Sequence, residues 1–159
     1  MKKFILILIL AATLLGSLPE LLLAQTKEAA PDFSLADTNS TMVSLANYKG
    51  KQGVVLFFWT TWCPFCLVQL EVINDKYLEL SRRGLVVLGI NSGEPAARVQ
   101  RFLSKHPLKY NVLLDEYAEL ALKYQIIGVP TYVLVDKQGN IVYQDNYFPS
   151  ESELQAALK

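Results

Sequence analysis

The sequence predicts an α/β fold in which a central mixed β-sheet, largely parallel at its centre, is flanked by helices. Three observations carry this. VVLFFW (54–59) and LVVLGI (85–90) are continuous apolar runs of the length and composition of strands buried on both faces. The segment between them repeats its apolar residues at helical spacing, and strands alternating with helices are the pattern of stacked βαβ units. Near the C-terminus, TYVLVD and IVYQ flank the turn KQGN, which reads as a hairpin adding an antiparallel edge.

The 159 residues, 52% of them hydrophobic, suit one domain around one core. The 15 basic and 15 acidic side chains balance to no net charge. Neutrality of this kind argues against nucleic acid or an anionic membrane surface as the main partner. There is no internal repeat, low-complexity tract or long run of like charge.

Residues 1–24 stand apart. MKKF gives a positive start, residues 4–18 are apolar, and LLLA ends at the small residue Ala24. This is the pattern of a bacterial-type secretory signal peptide cleaved near Ala24. The alternative is an uncleaved N-terminal membrane anchor through residues 4–24, although Pro19 and Glu20 interrupt it and a span needs about 20 apolar residues. Either reading puts the folded part in a periplasmic or extracytoplasmic space, secreted across or anchored to a bacterial inner membrane. No cysteine lies there to carry a lipid. Residues 25–31, QTKEAAP, read as a linker, and 32–159 as the folded domain.

The domain opens with PDFSLADTNSTMVSL, in which Phe33, Leu35, Met42 or Val43, and Leu45 alternate around a polar turn, predicting a short hairpin. Gly50 to Gly53 break the chain before the first long strand. After Cys63, apolar residues recur at Cys66, Leu70, Ile73, Tyr77 and Leu80, which is one face of a helix; Glu71, Asp75 and Glu79 share a solvated face. Pro64 suits the first turn, where its missing N–H is no loss, and Gly84 suits the stop. Glu94-Pro95 opens a second helix with Val99, Phe102 and Leu103 on its apolar side. NVLLD and YAELALKY read as a short strand and a short helix. Ser150 and Glu153 form a capping box before a closing helix.

The chemistry centres on FFWTTWCPFC, residues 57–66, which holds both cysteines of the chain. A zinc site needs about four side-chain ligands, or three and a water. The one histidine, His106, sits far along the chain in the polar loop KHPL, which argues against structural zinc. A redox couple fits better. Cys63 falls where a strand gives way to a helix, and there unpaired N–H groups and the helix dipole stabilise a thiolate. Such a position is expected to bring a thiol from about 8.5 to roughly 7. Cys66, one turn on, is placed to resolve a mixed disulfide. A purely structural bridge would close too short a loop to stabilise much. No Gly-rich phosphate loop of the usual spacing is present, so no cofactor is expected.

FWTTWCPFC together with GVPTYVLVDKQGNIVY resembles the thioredoxin superfamily, and PDFSL, LANYKGK and VLGINSGE are similar to its exported TlpA/ResA-type thiol:disulfide oxidoreductases, which have a redoxin or AhpC/TSA-like domain. The resemblance covers about residues 31–159. It implies the thioredoxin fold with an extra N-terminal β-hairpin, and thiol–disulfide exchange with protein substrates, more often as a reductase fed by a membrane thiol electron donor. It makes Cys63 the attacking thiol and Cys66 the resolving one. Pro130 falls where the family places a cis-proline, with the backbone of Val129 and Thr131 beside it pairing with the substrate chain. Trp62 becomes an apolar docking surface, unless it is a core aromatic. Pro64 and Phe65, between the cysteines, bear on redox poise. Roles in cell redox homeostasis and cytochrome c maturation belong to the same branch.

The sequence departs from that pattern where protons move. Thioredoxin's buried Asp, two residues before the first Trp, is here Phe57, and the Glu that cytochrome-maturation members carry three residues after the second cysteine is here Gln69. An amide hydrogen-bonds a sulfur but takes no proton from it at neutral pH. The departure argues against a dedicated role on cytochrome apoproteins. Glu94 is a substitute base, or simply a charge at a helix N-terminus; water is another acceptor.

Two other functions compete. A thiol peroxidase of the peroxiredoxin type is suggested by Thr60, three residues before Cys63, but Leu56 stands where such sites carry proline. A non-catalytic copper-binding module would use Cys63, Cys66 and His106, but copper chaperones of this fold space their cysteines by three residues. A substrate-binding module with a vestigial site is disfavoured by the presence of both cysteines.

Overall fold

A computed structural model describes residues 27–159; the segment read as a signal peptide or anchor, 1–24, lies outside the described residues. In chain order the elements are strands β1 (Ser34–Ala36) and β2 (Met42–Ser44), β3 (Gly53–Trp59), helix α1 (Pro64–Arg82), β4 (Leu85–Ser92), α2 (Ala96–Leu103), β5 (Asn111–Asp115), α3 (Glu119–Lys123), β6 (Thr131–Val135), β7 (Ile141–Asp145) and α4 (Glu151–Ala157). β1 and β2 form an N-terminal hairpin apart from a five-stranded sheet in the order β5-β4-β3-β6-β7. β3 runs parallel to β4 and antiparallel to β6, so the sheet is mixed, as expected.

β3 is buried along its whole length. Its two faces serve two cores. Val55, Phe57 and Trp59 meet Cys66, Leu70 and Ile73 of α1, while Val54, Leu56 and Phe58 meet Phe33, Val43 and Leu45 of the N-terminal segment. Each such side chain contributes about 1.5–3 kcal/mol by leaving water, which makes this strand the scaffold on which the site is mounted.

Helix α1 starts at Pro64, and its buried residues are Cys66, Leu70, Ile73 and Leu80, with Tyr77 packed at the margin. It stops at Arg83, and Gly84 follows at φ +89°, the left-handed conformation that glycine adopts without strain. In the hairpin, Val43 is the inward residue and Met42 is exposed, which settles the choice left open by the alternation. Asp37 holds its turn by accepting from the N–H groups of Asn39 and Thr41, each at 2.8 Å.

Helix α3 is shorter than YAELALKY suggests. Ala118 sits at φ +56°, and the buried Asp115 carboxylate caps the helix by accepting from Leu120 and Ala121 N–H at 3.0 and 2.9 Å. The capping box of α4 is present, with Glu153 reaching back to Ser150 N–H.

Residues 27–31, part of the stretch read as a linker, lie along the β6–β7 turn. Ala30 N–H donates to Gly139 O at 2.9 Å, Ile141 N–H donates to Glu28 O at 2.8 Å, and Lys27 Nζ pairs with Asp136 at 2.9 Å. Burial alone would raise the Asp136 carboxyl, but the Asn140 N–H and the Lys27 ammonium hold it below the usual carboxylate range.

Gly53, read from sequence as a chain breaker, opens β3 at a point of close approach. A Cβ there would collide with the Ala157 carbonyl of α4 and meet Leu85 Cδ2 at 2.9 Å. Gly53→Ala is therefore expected to cost about 2 kcal/mol, measured as a lower urea midpoint at unchanged slope.

Candidate active site

The site forms where β3 ends and α1 begins. Cys63 is the residue preceding the helix, and its Sγ accepts the Cys66 N–H at 3.2 Å, one of the amide groups that a helix start leaves without an internal partner. The same sulfur donates to the Val129 carbonyl at 3.6 Å. Val129–Pro130 is a cis peptide bond, and the carbonyl that accepts from Cys63 is that of Val129, the residue before the proline.

The two cysteines differ in setting. Both are free thiols, Cys63 4% exposed and Cys66 fully buried. Burial first, and the side-chain hydrogen bond with Cys63 second, push the Cys66 thiol up to about 12. Cys63 has an anion-stabilising helix start at its sulfur, whereas Cys66 is set into the apolar face of α1.

The predicted residues converge unevenly. Trp62 and Phe65 are 66% and 76% exposed, so Trp62 is a surface aromatic and not a core one. Pro64 is exposed beside them at the first helical position. Val129 and Pro130 are half-buried, and Thr131 is buried with its hydroxyl donating to Gly128 O at 2.7 Å. Gln69, half-buried one turn after Cys66, accepts from the Tyr132 hydroxyl at 2.8 Å.

Glu94 is 2% exposed, and its carboxylate is taken up in holding the turn before the cysteines. One oxygen accepts the Thr61 hydroxyl and the other the Thr61 N–H, each at 2.6 Å. Asn91 donates to it at 2.8 Å, and Arg98 lies 3.7 Å away. These contacts make it a positioning residue.

Two residues at the site, Asn146 and Tyr132, and the nearby Ile127 are not marked out by the motifs of the sequence. Ile127, just ahead of GVPT, is fully exposed; a lone apolar residue in a loop carries no such signal. Asn146, beyond β7, donates to Pro130 O at 2.6 Å and to Thr131 Oγ1 at 3.0 Å, and nothing local predicts that reach. Tyr132 was recoverable, because alternation along β6 puts it with Leu134 on the α1 face.

His106 is exposed and stacks on Phe102 at 4.5 Å. Among the described residues, no group of three or more His, Cys, Asp or Glu side chains comes together in a way that would hold a metal ion.

The chain matches the model of the AhpC/TSA family over residues 26–144. It is 30% identical over 130 residues to the thiol-disulfide oxidoreductase ResA of Bacillus thuringiensis subsp. konkukian, covering 82% of this chain and 75% of the relative. A crystal structure of a candidate thiol:disulfide interchange protein DsbE from Chlorobium tepidum superposes with a TM-score of 0.75 at 27% identity, over 84% of this chain and 97% of that one. A thioredoxin family protein from Chlorobium tepidum TLS, at 24% identity, covers the same shares with a TM-score of 0.72. The fold is the thioredoxin fold, with an added N-terminal strand pair.

Two outcomes follow from this geometry. Glu94→Ala leaves the Thr61 N–H and Asn91 unpaired and is expected to cost about 2 kcal/mol, read from denaturant unfolding. In Cys63→Ser, alkylation of Cys66 is expected to show no ionisation below about pH 10, burial being the larger cause of its shift. The sign for stability is that of a raised acid: the contribution is complete below the roughly 8.5 of an unfolded cysteine and is lost as pH rises toward the folded value.

Proposed function

This chain belongs to the AhpC/TSA family and is a thiol:disulfide oxidoreductase of the ResA/DsbE type, and on that premise we propose that it reduces disulfides of protein substrates outside the cytoplasm. One observation carries the reading. The Cys63 sulfur lies between the Cys66 N–H and the Val129 carbonyl, beside Pro130. A sulfur at a helix start is a competent nucleophile, and the adjoining backbone offers an edge for an extended peptide.

In this scheme the Cys63 thiolate attacks one sulfur of the substrate disulfide, releasing the other as a thiolate and leaving a mixed disulfide. Cys66 then attacks Cys63 Sγ, the substrate sulfur held in the mixed disulfide departs as a thiolate, and the two electrons taken up by the substrate leave a Cys63–Cys66 disulfide. Trp62, Phe65 and Ile127 form the exposed apolar surface against which the substrate docks, with the backbone of Val129 and Thr131 beside it. Gln69 and Pro64 shape the surroundings of the pair. A membrane thiol carrier restores the dithiol. The location outside the cytoplasm is supported by the charged start and apolar run of residues 1–24.

The test is twofold. With dithiothreitol as donor and insulin as substrate, Cys63→Ser is expected to lower turnover by about a thousandfold or more, while Cys66→Ser accumulates a mixed disulfide on Cys63. Equilibration with thiol buffers is expected to give a potential near about −270 mV, and a value near about −120 mV would sink the reductase reading.

A further inference from the structure

The wall behind Cys66 is aromatic and amide. Tyr132 packs tilted against Phe57 with ring centroids 4.8 Å apart and meets Phe148 edge-on at 5.5 Å, which fixes where its hydroxyl points. That hydroxyl donates to Gln69 Oε1 at 2.8 Å. A primary amide has one accepting and one donating end. With its carbonyl held by Tyr132, Gln69 turns its NH2 end away from that hydroxyl; it lies on the same helix face as Cys66 and one turn away, and neither end of an amide takes a proton at neutral pH.

We infer that Gln69, oriented by Tyr132, makes this wall neutral to protons, so that the Cys66 proton passes to solvent during resolution and not to a base of the protein. The inference rests on the exchange reading above. The groups that bear on the Cys66 sulfur are Cys63 and the N–H groups of Thr60 and of Cys66 itself. From β6 it is faced by the Tyr132 phenol, behind which stand Tyr143 of β7 and Tyr110, just before β5. Burial pushes the Tyr132 and Tyr110 phenols above their ordinary range, so neither is a base near neutral pH. The carboxylate of the adjoining loop, Glu94, is bound to Thr61, Asn91 and Arg98.

The step balances without a further reactant. The bond between Cys66 Sγ and Cys63 Sγ forms, the bond from Cys63 Sγ to the substrate sulfur breaks, and the electron pair leaves on that sulfur. The proton goes to water, and the departing thiolate reprotonates according to its own basicity. Gln69 stays neutral throughout.

A nitrobenzoate disulfide that releases a coloured thiolate separates the two steps in the reduced wild-type protein. The first release reports attack by Cys63, and the second reports resolution by Cys66. The second rate is expected to rise about tenfold per pH unit between about pH 6 and 9 without levelling. Gln69→Glu is expected to make it level off near neutrality and to speed it about tenfold or more at pH 7. Tyr132→Phe, which frees the amide to turn, is expected to change the second rate and not the first. A wild-type second phase that levels below about pH 8, or a Gln69→Glu profile that matches wild type, overturns the inference. Loss of the first phase in wild type would instead overturn the exchange reading, and this inference with it.

Discussion

A strand that ends in the middle of a sheet must turn the chain out of the core, and here that turn carries the chemistry. β3 delivers Trp59 fully buried, and within a few residues the chain has to present Trp62 to solvent and start a helix at Pro64. Free backbone would sample many such paths. The Glu94 carboxylate, supplied by the loop after the neighbouring parallel strand, selects one by accepting both the N–H and the hydroxyl of Thr61. The position of Cys63 depends on that buried anchor, as does the alignment of its sulfur with the Cys66 N–H. β3 and β4 are bonded along their whole length, so the anchor and the turn it holds move as one body.

From that turn the two thiols diverge in character although the same short motif holds them. One lies at the end of a helix, where partial positive charge collects. The other lies among Leu70, Ile73 and Phe57, where a charge has no hydration to draw on. The asymmetry comes from helical geometry: three residues along α1 carry the chain from the exposed first turn onto the buried stripe.

The sheet and the helix faces were legible because burial on both faces and on one face leave different periods, and β3, β4 and α1 have both in undiluted form. The cysteine pair was legible because its setting is local. What escaped depends on contacts between distant stretches. Asn146 reaches Pro130 across the end of the sheet, and Glu94 reads as a substitute base or a charge at a helix start until β4 sets it beside Thr61. Alternation left Met42 and Val43 equivalent, since only the second core decides which one turns inward. Residues 27–31 read as part of a linker, yet their backbone bonds to the β6–β7 turn, a contact between distant stretches that local sequence does not register.

That docking also gives the molecule a direction. Phe58, at the site end of β3, is opposite Thr131, whereas Val54, at the other end, is opposite Val135 and the turn where Ala30 and Lys27 are held. Entry point and cysteines thus occupy opposite poles of the sheet, separated by about the length of β3, roughly 20 Å. The end of the sheet that receives residues 27–31 is therefore the one farthest from the cysteine pair, and the two ends are free to serve different contacts.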